Sequence, residues 1–256
     1  MALNNKTAII SGGASGIGKA IVTKFISEGA FVHILDIDKK SGVDLVHAIQ
    51  KKEEKVEFHY CDISRQQDVG RIMQQISKKY RIDIMVNNAG VSHIGNIENT
   101  FDHDLDRLIN INIKGLINCT RACIPEMKKA GAGVILNIAS VAASVGLNDR
   151  FGYSMTKGAV VAMTYSIAKD YLAHNIRCNS ISPARIHTPF VDGFLKRNYP
   201  GKEDEMFQKL AKTQPIGRMG EPEEVAELAC FLCSEKASFI TGTDYPIDGG
   251  FLKLNT

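Results

Sequence analysis

The sequence predicts an α/β chain, a doubly wound seven-stranded parallel sheet with helices on both faces. Apolar strand-like runs alternate with amphipathic helical patterns along nearly all of the 256 residues, and a parallel neighbour needs a crossover of that length. Runs such as Val134-Ile135-Leu136 are apolar at consecutive positions, as a strand covered on both faces requires. The first strand ends in a glycine-rich turn that opens straight into a helix.

Strands are expected at 6–11, 31–36, 55–60, 83–87, 133–139, 176–181 and 244–247, and helices at 17–28, 39–51, 65–80, 101–129, 153–173 and 222–233. Ser64 followed by Gln67 reads as a capping box opening the third helix. The stretch from Pro183 to Gln214 breaks the rhythm with prolines and aromatics and is too long for an ordinary connection. It is expected to form a small helical lid, at about 184–214, on one domain spanning 1–256. A chain of this length supports one large core and no second domain.

The formal charge of +3 is small and dispersed. Pairs such as Lys39-Lys40, Lys51-Lys52 and Lys78-Lys79 fall on polar helix faces, and no basic stripe interleaved with aromatics suggests nucleic acid. No apolar run reaches the roughly 18 residues that span a bilayer. Met1 to Lys6 carries no signal-peptide pattern, so a cytoplasmic location is expected. Cys230 and Cys233 form a lone C-x-x-C within a helical run of Ala, Leu and Phe, which reads as core packing. The seven histidines show no i, i+4 spacing, so no metal site is expected.

Gly12, Gly16 and Gly18, in Ser11-Gly12-Gly13-Ala14-Ser15-Gly16-Ile17-Gly18, let backbone approach a pyrophosphate at a helix N-terminus. Asp36 ends the next strand, where a carboxylate can accept from ribose hydroxyls. A 2′-phosphate would meet like-charge repulsion there, so the cofactor reads as NAD, not NADP.

Ser140 closes the fifth strand at the ligand end of the sheet. Tyr153 and Lys157 lie four residues apart on one helix and share a face. A phenol has a pKa near 10, and lowering it by about 3 units takes about 4 kcal/mol. An ammonium about 4 Å away at an effective dielectric near 20 supplies roughly that. Serine, tyrosine and lysine so arranged suit proton exchange with an alcohol or ketone oxygen.

Taken together, these motifs resemble the short-chain dehydrogenase/reductase family over essentially the whole chain. Asn87-Asn88-Ala89-Gly90 is similar to that family's N-N-A-G motif, Asn112 to its relay asparagine, Asp62 to its adenine-contacting residue, and Pro183 to Thr188 to its P-G-x-x-x-T. Asp248-Gly249-Gly250 also fits. The resemblance implies a Rossmann fold and an NAD-dependent enzyme acting on a CH–OH group. It implies Asn112, Ser140, Tyr153 and Lys157 as catalytic residues. Gly12, Ser15, Gly16, Ile17, Gly18, Asp36, Asp62, Ile63, Asn88, Ala89, Gly90, Tyr153, Lys157, Pro183, Ile186 and Thr188 are the implied cofactor contacts. Ala184 departs from the family's usual glycine and would be strained if φ were positive there.

Arg150 and Arg185 fall where a planar fork can meet a carboxylate, and His93, Asn148, His187 and Asp192 fall on loops near the same mouth. These point to a small polar substrate: a sugar, a sugar acid or a hydroxy acid. Two other readings compete. One is a 3-oxoacyl-[acyl-carrier-protein] reductase using NADPH, against which Asp36 speaks. The other is a non-catalytic dinucleotide-binding regulator, which would not need serine, tyrosine and lysine together. The family resemblance implies a homotetramer or homodimer.

Overall fold

The strands line up in the order β3-β2-β1-β4-β5-β6-β7, and every pairing is parallel. They are β1 (Thr7–Ser11), β2 (Phe31–Asp36), β3 (Val56–Tyr60), β4 (Ile84–Asn87), β5 (Gly133–Ile138), β6 (Ile176–Pro183) and β7 (Asp244–Ile247). The structure is a computed structural model and describes residues 1–50 and 55–254, without the side chains of Phe190 and Asn198. The expected helix end at 51 and the Lys51-Lys52 pair lie outside the described residues.

The order reverses between β1 and β4, which opens the crevice for ligands at the carboxyl ends of those strands. Alternation along β1 sends Ala8 and Ile10 to one core and Ile9 to the other. The first core lies under α1 (Gly16–Ser27), α2 (Lys39–Gln50) and α9 (Pro222–Cys233); the second lies under α3 (Gln66–Ser77) and α5 (Leu116–Ala130). Both faces of the sheet are therefore covered, as the consecutive apolar residues anticipated. Cys230 and Cys233 sit in the first core, and burial pushes both thiols up, Cys230 to about 11.

Two expected elements differ. The single helix at 101–129 is α4 (Asp102–Leu108), a π-helical turn at Ile109–Gly115, then α5. A π-turn inserts into an α-helix at a local cost and tends to mark functional positions; here it carries Asn112. The capping box at Ser64 is absent: the Ser64 hydroxyl donates to Asp62 Oδ1 at 2.7 Å, and the cap residue, Arg65, makes no side-chain cap bond. The carboxylate two residues away outcompetes the helix end because it is charged.

The helix α6 (Phe151–Tyr171) follows β5 and runs beneath the crevice. Between β6 and α9 lie α7 (Pro189–Asn198) and α8 (Glu203–Ala211), the short helices expected of the 184–214 segment. No helix among the described residues is long and apolar enough to cross a membrane.

Candidate active site

The glycine turn is built to admit an anion. Gly12 and Gly16 have φ of +65° and +51°, in the left-handed region where a side chain is strained. A Cβ on Gly18 would overlap the Gly12 carbonyl oxygen, and one on Gly12 would lie 2.8 Å from Ala89 Cα. Ser15 caps α1 without a side-chain cap bond, and its hydroxyl is exposed. Ile17, half-buried, packs against the core behind it.

Asn88 ties this turn to the end of β4. Its Nδ2 donates to the carbonyls of Ser11 (3.1 Å) and Gly12 (2.9 Å). The backbone N–H groups of Asn88 and Ala89 donate in return to Ser11 Oγ at 3.1 and 3.2 Å. Ser11 is a positioning residue the motifs did not single out, although a buried serine at the ligand end of β1 was a readable signal.

Asp36 stands at the tip of β2. Its carboxylate accepts from Ala14 N–H and Asp38 N–H, both at 3.0 Å, and these bonds fix it beside the glycine turn. Asp62 Oδ1 accepts from the Ser64 backbone as well as its hydroxyl. Ile63 points the other way: its side chain is buried against Gly115 and its carbonyl accepts from Asn118 at 2.9 Å. Its side chain thus belongs to the core, leaving only its backbone N–H for a ligand.

Where β6 ends, Pro183, buried, accepts a long bond of 3.5 Å from Ser140 Oγ. Ile186 is buried against the first core, and a parallel bridge pins it to Gly220. Thr188 caps α7 and brings its methyl to 3.5 Å from where a Cβ on Gly16 would lie. Ala184 does not have positive φ, so the strain its departure from glycine raised is absent. A cavity of about 210 Å³ lies behind this loop, lined by Arg185, Gln214 and Asp248 among others; Ser140, Tyr153 and Lys157 do not line it.

Ser140, Tyr153 and Lys157 converge. Ser140, buried, is hydrogen-bonded to the Tyr153 phenol. Lys157, also buried, donates from Nζ to the Ile138 carbonyl at 2.7 Å and sits 5.8 Å from the centroid of the tyrosine ring. Burial holds its ammonium down to about 8. The phenol itself is pushed up by burial, against the smaller pulls of Ser140 and of Arg150's charge. The ammonium is bonded to a carbonyl while lying beside the tyrosine ring, and the charge of Arg150 also favours the phenolate.

Asn112 is fixed by three bonds. Its Oδ1 accepts from Val91 N–H at 2.8 Å, and its Nδ2 donates to Val91 carbonyl at 2.9 Å and Thr156 Oγ1 at 3.0 Å. It lies beside Gly90, where a Cβ would come within 3.3 Å of Asn112 Oδ1 and 3.5 Å of Lys157 Nζ. Thr156, one residue before Lys157, was not anticipated and holds the amide in place.

Arg150 precedes α6 and follows Asp149, whose φ of +55° turns the chain sharply. The turn is locked to the 91–99 loop by Gly95 N–H to Asp149 carbonyl (2.9 Å) and Phe151 N–H to Gly95 carbonyl (3.1 Å). Arg150 donates to the His93 carbonyl at 3.4 Å. The His93 ring has Nδ1 3.3 Å from Asp104, while its Nε2 is buried without a partner among the described residues. Arg185 donates to Thr213 Oγ1 at 3.0 Å, and burial and the charge of Arg150 both lower it. Asp192 is held by His187 at 2.9 Å. Among the described residues neither arginine has a carboxylate partner.

A family model described as enoyl-(acyl carrier protein) reductase matches residues 12–252. YxbG, an uncharacterized oxidoreductase of Bacillus subtilis, is 38% identical over 256 residues, covering 98% of this chain and 92% of that protein. The chain belongs to the short-chain dehydrogenase/reductase family. Within this family, the ligand-free aldohexose dehydrogenase of Thermoplasma acidophilum superposes with a TM-score of 0.88 at 34% identity, covering 98% of this chain and 95% of that one. The 3-ketoacyl-(acyl-carrier-protein) reductase of Brucella melitensis, solved with NADH, has a TM-score of 0.88 at 34% identity, covering 97% and 99%. The chain is thus an oxidoreductase of this family with a seven-stranded Rossmann sheet. The relatives' names divide between a sugar and an acyl thioester.

Proposed function

We propose that the protein is an NAD-dependent dehydrogenase acting on the secondary alcohol of a small polar anion, a hydroxy acid or sugar acid. The observation that carries this is the pair Arg150 and Arg185. The guanidinium of Arg185 feels the charge of Arg150, and among the described residues no carboxylate pairs with either arginine. Two unneutralised cations held near each other are costly unless an anion is meant to join them.

The cradle fits a dinucleotide: Gly12 and Gly18 let the turn fold tightly onto α1 and Ala89, where a Cβ would clash, and α1 starts at that point. Bound there, the dinucleotide supplies the site for hydride exchange. The glycine turn and the N-terminus of α1 hold phosphate charge. Asp36 accepts from ribose hydroxyls and repels a 2′-phosphate, which favours NAD. Tyr153 exchanges a proton at its phenolic oxygen with the substrate oxygen, and Ser140 donates a hydrogen bond to that same oxygen. Lys157 and Asn112, close together beside Gly90, carry the proton onward. The segment 184–214 acts as a lid that brings Arg185 over the substrate, and the chain works as a homodimer or homotetramer in the cytoplasm.

The test is a screen of hydroxy acids, sugar acids and neutral polyols with NAD, read as the absorbance of reduced cofactor. Arg150→Ala and Arg185→Ala should each raise KM for an acidic substrate about tenfold, the equivalent of 1.4 kcal/mol, and leave KM for a neutral alcohol unchanged. Equal KM values for the acid in all three proteins would defeat the anionic reading. The relatives' names favour a second reading, a 3-oxoacyl-[acyl-carrier-protein] reductase. It requires turnover of a β-ketoacyl thioester, and NADPH preferred over NADH would sink the assignment of Asp36.

A further inference from the structure

On the outer strands of the sheet, far along the chain from Tyr153, lies a cluster that the reaction does not use. β2 and β3 run parallel with His33 opposite Glu57 and Leu35 opposite His59. Side chains alternate along a strand, so His33, Glu57 and His59 share the face that also carries Leu35 and packs toward α3. His33 is fully buried, whereas the side chains of His59 and Glu57 are 17% and 41% exposed, so the cluster has a dry floor and an open top.

Their donor atoms form a small triangle. His33 Nδ1 is 3.0 Å from His59 Nε2 and 3.5 Å from Glu57 Oε2, and His59 Nε2 is 3.7 Å from the same oxygen. A point about 0.7 Å out of their plane lies about 2.1 Å from each, within the range of zinc–nitrogen and zinc–oxygen bonds. We propose that His33 Nδ1, His59 Nε2 and Glu57 Oε2 bind a divalent transition ion of the zinc type, with a water completing a tetrahedron on the solvent side.

Two imidazoles and one carboxylate form a set that zinc accepts and that magnesium and calcium, which seek oxygen, do not. A hydrogen bond between the two rings explains the 3.0 Å separation, but not the carboxylate. Glu57 Oε2 faces both nitrogens at distances beyond an N–H···O bond, and a cation among the three atoms accounts for all of them. His33 Nε2 is buried without a partner among the described residues, so shifting its proton there to free Nδ1 breaks no other bond.

The second layer is partly built. The Tyr80 hydroxyl donates a long bond of 3.5 Å to the other oxygen of Glu57. The rings of Phe31 and Tyr80 lie 5.1 and 5.0 Å from that of His33 and keep water from its sides. Arg71 brings a positive charge toward His59 and opposes the ion, which argues for a weaker site than one with four protein ligands. A bound ion would clamp the edge strand β3 to β2, three residues before Asp36.

The test uses the full chain, stripped with a chelator and titrated with zinc chloride by calorimetry, with thermal melts in parallel. One ion per chain should bind and raise Tm, because a ligand of the folded state stabilises it by mass action. Cobalt should give the visible absorption of a four-coordinate ion. Glu57→Gln and His59→Gln, both partly exposed and away from the active site, should each weaken zinc binding at least tenfold and abolish the rise in Tm. Absence of saturable binding in the unmodified protein would overturn the proposal, as would full binding retained in both variants. Neither readout depends on turnover, so the result stands apart from the assignment of the reaction.

Discussion

The Thr188 methyl stands 3.5 Å from the point where a Cβ on Gly16 would lie, so the crossover leaving β6 returns to the first turn of the chain. The space between them is where α1 begins, and its free N–H groups face it. A side chain at Gly16 would both narrow that gap and force a residue into φ of +51°. A left-handed residue costs roughly 1–2 kcal/mol. Gly16→Ala should lower Tm modestly and weaken NADH binding at least tenfold, as read by cofactor fluorescence. Unchanged affinity would mean that the dinucleotide does not pass between Gly16 and Thr188.

Asp36 discriminates through charge held in place. With Ala14 and Asp38 N–H groups on its two oxygens at 3.0 Å, the carboxylate cannot swing away from a 2′-phosphate. Asp36→Ala should reduce kcat/KM with NADH about tenfold and raise it with NADPH, since Lys39 and Lys40 follow on the same turn. Initial rates with both cofactors check this. A preference that does not move would place the discrimination elsewhere.

Much of this architecture was legible because its signals are local. Alternating elements and doubly apolar strands gave the sheet, and the glycine turn and Asp36 each sit at the tip of a predicted strand. What escaped was set by contacts distant in sequence. The π-turn at Asn112 interrupts a continuous helical pattern, and only the bonds to Val91 and Thr156 reveal its purpose. Lys157 lies beside the tyrosine ring, as i, i+4 residues on one face should, but its bond to the Ile138 carbonyl on β5 joins positions 19 residues apart and was not legible. His33, Glu57 and His59 escaped a search for helical ligand spacing because two of them are spaced by a strand's period of two and the third lies across the sheet.

The phenol's acidity rests partly on Arg150. Burial raises the pKa of Tyr153, while Arg150's charge and the Ser140 hydrogen bond lower it. Alcohol oxidation requires the phenolate as base, so its rate should rise with pH. Removing the guanidinium disfavours phenolate and should move that rising limb upward. Arg150→Ala is expected to shift it by about one unit, within the range for loss of an opposite charge, and Arg150→Lys should restore it. A limb that stays in place with a neutral alcohol substrate would show that Arg150 does not act on the phenol.

Lys157 exposes a conflict between stability and catalysis. Its ammonium is buried on one hydrogen bond to Ile138, and burial lowers its pKa from 10.5 to about 8. In the unfolded chain the amine is protonated up to about 10.4. Between those values the unfolded state therefore binds more protons, and the lysine's contribution to stability rises with pH. Below about 8 the fold carries the full cost of a buried charge. Lys157→Met, similar in volume and uncharged, should stabilise the protein at pH 7 by about 1–3 kcal/mol, with the gain shrinking as pH approaches 10. Turnover should fall by orders of magnitude in the same variant. Denaturant melts of both proteins at pH 7 and pH 10 measure the difference, and a gain independent of pH would mean that folding does not lower the pKa of the amine.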